Sequence, residues 1–134
     1  FNDELVLVVA NNHPRIENTI DQAMLNNERH AIMAMDNIGS FSKPYYHNTE
    51  LSHTISYQGT DLNSVLTIVA QTDLVAIAPK WLVDRHGSQL QLRTLSLPWG
   101  DSTRPCYLTW HESTARDKGH QWMKAQFCQL VEQL

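Results

Sequence analysis

The stretch Leu5-Val6-Leu7-Val8-Val9-Ala10 decides the fold. Six aliphatic residues in a row leave no polar side chain for a wet face. Such a run predicts a strand covered on both sides, in the middle of a sheet with helices packed against each face. Asn11-Asn12-His13-Pro14 then breaks it. A second two-sided run, Leu74 to Ala78, stops at Pro79, and Ala31 to Met35 is a shorter third strand. Between these runs the spacing becomes helical. Leu62, Val65, Leu66 and Val69 fall at i, i+3, i+4 and i+7, and Gly59-Thr60-Asp61 supplies a turn and a cap before them. Ile16 to Leu25 reads as a helix. His53 to Gln58 and Leu90 to Leu95 alternate as strands, and Trp81 to Arg85 is a short helix closed by Gly87. Cys106 to Trp110 reads as one more strand. The final helix is announced by Thr114-Ala115-Arg116-Asp117, at capping-box spacing, and carries the stripe Met123, Phe127, Leu130, Leu134. Asp36 to Ser52 reads as a long connection. Strands and helices alternate, which predicts an α/β fold with an open, mostly parallel sheet flanked by helices.

Length and charge narrow the function. The chain has 134 residues, enough for one modest domain. Ten Lys and Arg stand against 14 Asp and Glu, a formal charge of −4. A free-standing nucleic-acid binder needs the opposite balance to neutralise phosphates. No apolar run approaches the length that crosses a bilayer, and Phe1-Asn2-Asp3-Glu4 has no signal-peptide pattern. Cys106 and Cys128 are too few for a disulfide scaffold and form no Cys-x-x-Cys motif. They read as two reduced, buried thiols of a cytoplasmic protein.

Several chemistries lack their residues. The five glycines never come closer than Gly87 and Gly100, thirteen positions apart. Phosphate-binding loops and nucleophile elbows need clustered glycines, so neither is expected. Among the seven histidines no pair has the i, i+4 spacing of a helical zinc site, and they read as surface or packing residues. Ser113, His111 and Asp117 are close in sequence, but a triad is defined by geometry. Asp36, Asp61, Asp73 and Asp84 are scattered singly. No catalytic residue, metal or cofactor is expected. One arrangement has positive content. Ligands of open α/β sheets bind beyond the carboxyl ends of the strands. Here those ends are Met35-Asp36, Gly59-Thr60-Asp61 with Asn63 and Ser64, and Ala78-Pro79. Thr60, Asn63 and Ser64 offer neutral hydrogen-bonding groups, while Asp61 competes with any ligand anion for the positive helix end. A neutral or mixed-polarity ligand follows.

Three segments together carry a family resemblance. Asp3-Glu4-Leu5-Val6-Leu7-Val8-Val9 with Asn12-His13-Pro14 resembles the first crossover strand of the effector-binding domain in LysR-type transcriptional regulators. Leu66 to Ala70 with Leu74 to Pro79 resembles that family's helix and its strand ending in proline. Tyr107-Leu108-Thr109-Trp110-His111 with Arg116-Asp117-Lys118-Gly119-His120-Gln121-Trp122 resembles its return strand and final helix. Thr72 and Asp73 stand where much of the family has glycines, a departure shared by the branch that includes the nodulation regulators.

The resemblance implies a periplasmic-binding-protein type 2-like fold, with two α/β subdomains joined by two crossover strands. Residues 1–134 would be a partial effector-binding domain. Residues 13–105 would form the second regulatory subdomain, and residues 1–12 and 106–134 would supply crossover strands and a C-terminal helix belonging to the first. It further implies a small-molecule effector in the inter-subdomain cleft, near Met35, Asp36, Thr60 and Asn63. Self-association would give a dimer, or a tetramer of the full-length protein. DNA would be contacted only through an N-terminal helix-turn-helix outside this chain, and no membrane would be involved. Two other readings share the residues: half of a solute-binding protein from a transport system, and a small α/β enzyme.

Overall fold

The computed structural model describes residues 2–33, 54–100, 102–105 and 107–133. The central strand is β1 (Asn2–Ala10), and Leu5 through Ala10 are all buried. Alternate side chains of β1 serve two separate cores. Val6 and Val8 face Val65, Leu66, Val69, Leu82 and Val83. Leu5, Leu7 and Val9 face Ile16, Ile20, Leu25, Ile77 and Leu95. Each fully buried Val or Leu contributes about 1.5–3 kcal/mol relative to exposure.

Along the chain follow α1 (Gln22–Asn27), β2 (Arg29–Met33), β3 (Thr54–Gly59), α2 (Leu62–Gln71) and β4 (Ala76–Pro79). Then come α3 (Lys80–Leu90), β5 (Leu92–Leu95), β6 (Thr103–Pro105), a 3-10 turn over Glu112–Thr114 and α4 (Lys118–Val131). The sheet is mixed. β2 and β3 pair in parallel, with Met33 opposite Gly59. Val75, just before β4, bridges His30 of β2 in parallel. β1 runs antiparallel to β4, β5 and β6. The carboxyl ends of β2, β3 and β4 therefore share one end of the sheet with the start of β1.

Several sequence expectations shift. Ile16 and Ile20 are buried as expected, but the helix spans only Gln22–Asn27, with Asp21 as its cap. The backbone before it is occupied otherwise. His13 Nδ1 accepts the amides of Arg15 and Ile16, and the Arg93 guanidinium donates to the carbonyls of Ile16 and Glu17. The two carbonyls are thereby taken from the amides four residues on, which a helix would need. Gly87 does not end α3. It lies buried inside the helix, where a Cβ would come within 3.1 Å of Val83, and Gln91 closes the helix in the left-handed region at φ 55°. The strand expected over Cys106–Trp110 is found instead at Thr103–Pro105, where the backbone pairs with Asn2 to Glu4 of β1. Tyr107 to Trp110 are exposed and irregular, and Cys106 lies outside the described residues. The cap of α4 is Asp117, not Thr114; its carboxylate accepts the His120 amide at 2.7 Å. Cys128 is reduced but exposed rather than buried.

The other end of the sheet is tied by charge. Arg15 donates to buried Glu28 at 2.6 Å and to Asp73 at 2.9 Å, and Arg29 reaches the other oxygen of Asp73 at 2.6 Å. His13 Nε2 donates to the Asp73 carbonyl at 3.0 Å. Thr72 donates to the Ile68 carbonyl and accepts the Leu74 amide. Thr72-Asp73 thus makes a side-chain-bonded junction between α2 and β4 where glycines would offer no contacts.

Truncating the strand that serves both cores should be costly. Leu7→Ala is expected to lower unfolding free energy by about 2–5 kcal/mol, measured by denaturant titration. A loss below about 1 kcal/mol would mean that β1 is not the packing centre.

Candidate functional site

Parallel pairing sets the site. It carries the ends of β2 and β3, Met33 and Gly59, to one edge, and α2 starts immediately beyond. Gly59 is buried, and a Cβ there would lie 3.0 Å from the Tyr57 ring and 3.3 Å from Val65. The missing side chain lets Tyr57 lie across the strand end, close to the first turn of α2. Tyr57, which the sequence signalled only as one face of an alternating strand, packs here against the core.

Asp61 opens α2 with extended backbone, φ −143°. One carboxylate oxygen accepts the Ser64 amide at 2.9 Å and the other accepts the Ser64 hydroxyl at 2.5 Å. Ser64's hydroxyl and amide, helped by the Asn63 amide, hold the Asp61 carboxyl below its ordinary value of 3.8. The positive end of α2 is thereby filled by a charge of the chain itself. Thr60 and Asn63 stand on either side of this cap, both exposed. The Asn63 carbonyl accepts the Thr67 hydroxyl at 2.8 Å, while its carboxamide and the Thr60 hydroxyl make no hydrogen bond among the described residues. The structure brings Thr60 and Asn63 together. Met35 and Asp36 lie outside the described residues.

A second concavity lies at the same end of the sheet, between the start of β1 and the first turns of α3. It is a cavity of about 480 Å3 lined by Asn2 to Glu4, by Lys80, Trp81, Asp84 and Arg85, and by Val131 and Gln133 at the end of α4. Residue spacing along the sequence could not reveal it, since its lining comes from β1, α3 and α4, which are far apart in the chain.

Other candidate chemistry does not assemble. His111 Nδ1 lies 2.7 Å from the Ser113 hydroxyl but also accepts the Ser113 amide, and Asp117 is engaged as the cap of α4. His13 and His30 are buried packing residues that bond to backbone carbonyls. His47 and His53 lie outside the described residues. Among the described residues no group of three His, Cys, Asp or Glu could hold a metal ion, and no helix is long and apolar enough to cross a membrane.

A strand-end cleft on a mixed α/β sheet occurs in many ligand-binding proteins, and comparison with known families separates them. The family model described as the LysR substrate binding domain matches residues 1–130. The chain belongs to that family. This LysR domain is 45% identical over 132 residues to the HTH-type transcriptional regulator LeuO of Escherichia coli (strain K12), covering 98% of the chain and 42% of LeuO. The chain thus spans about two-fifths of the length of the curated relatives it matches. The reduced regulatory domain of OxyR2 from Vibrio vulnificus has a TM-score of 0.70 at 16% identity, covering 90% of this chain and 58% of that one. The effector binding domain of QuiR, in complex with shikimate, gives 0.61 at 20% identity, covering 77% and 49%. These structures share the LysR regulatory fold, of the periplasmic-binding-protein type 2 class.

The cap of α2 is testable by pH. A carboxyl held below its ordinary value contributes stability that is complete above that value and lost as pH falls through the lowered one. Asp61→Ala should therefore melt below wild type at pH 7, and the gap should narrow by pH 3. Equal melting points at pH 7 would show that the cap contributes nothing.

Proposed function

We propose that the chain is the effector-binding and oligomerisation region of a LysR-type DNA-binding transcriptional regulator resembling LeuO. Residues 13–105 would form its second regulatory subdomain. Residues 1–12 and 106–134 would contribute crossover strands and a C-terminal helix to the first. The carrying observation is the strand-end placement of Thr60 and Asn63 beside a helix cap already filled by Asp61, in a chain 45% identical to an HTH-type regulator. QuiR, a protein of the same fold, was solved with shikimate in its effector binding domain, which supports a small-molecule ligand here.

In this reading the effector lies between the subdomains, against Met35, Asp36, Thr60 and Asn63. It favours one cleft geometry and so shifts a population of dimers or tetramers. The shift changes how paired DNA-binding heads are presented, and DNA is touched only through an N-terminal helix-turn-helix. No step needs a catalytic group. The work is cytoplasmic, where the DNA is.

Ligand binding at this edge can be measured. A thermal-shift screen with small metabolites should find a compound that stabilises the protein, and the effect should disappear in Thr60→Val and Asn63→Leu. Unchanged stabilisation in both variants would remove the cleft assignment.

Self-association has its own support. Trp122, Met123, Phe127 and Leu130 are exposed on α4, next to exposed Tyr107, Leu108 and Trp110, and Lys124 lies 3.6 Å above the Trp110 ring. Apolar surface of this extent is usually covered by a partner. Light scattering of the 134-residue chain should report a dimer, and Phe127→Glu should return it to a monomer. A wild-type monomer at all concentrations would overturn this.

A further inference from the structure

We draw no further inference here: the strongest candidate, the exposed apolar face of α4 around Trp110, Met123 and Phe127, is the surface already given to self-association, and nothing in the structure shows what else covers it.

Discussion

The burial of β1 on both faces is the constraint from which the rest of the structure follows. A strand with no wet side needs two layers of cover, and its neighbours must supply both. Odd positions Leu5, Leu7 and Val9 commit the irregular segment after His13 and α1 to one side. Even positions Val6 and Val8 commit α2 and α3 to the other. Because β1 runs against β4 while β2 and β3 run with it, every strand end that can host a ligand falls at one edge. The position of the cleft is thus a consequence of packing and strand direction, before any functional residue is considered.

Charge divides the molecule in a second way. At the edge away from the cleft, charges are neutralised within the chain. Asp73 receives Arg15 and Arg29, whose hydrogen bonds hold its carboxyl below the ordinary value, and Glu28 takes the remaining face of Arg15. At the cleft edge the pattern is uneven. Asp61 is engaged by Ser64, whereas the first turn of α3 receives no side-chain cap.

Elements with a strong local pattern were legible in the sequence. The run Leu5 to Ala10, the i, i+3, i+4, i+7 spacing of Leu62 to Val69 and the stop at Pro79 all signal elements that the structure contains. The misplaced elements were decided by partners distant in the chain. No local signal shows that Arg93 would occupy the carbonyls of Ile16 and Glu17, 76 or 77 residues away, and so forestall the expected helix. Gly87 reads as a helix stop until Val83 and Leu92 fill the space where its side chain would be. Thr60 and Asn63 could be placed because a cap and a strand end lie together in sequence. The cavity beside α3 could not, since β1, α3 and α4 all contribute to it from distant parts of the chain.

The junction at Asp73 also sets where the domain can bend. His13, Arg15 and Arg29 fasten the turn before β4 to the start of β2 and to the segment after β1. Three otherwise separate pieces of backbone are riveted at one corner, and no comparable rivet spans the opposite edge among the described residues. Any opening of the strand ends opposite would leave this corner in place, as a fan keeps its pin.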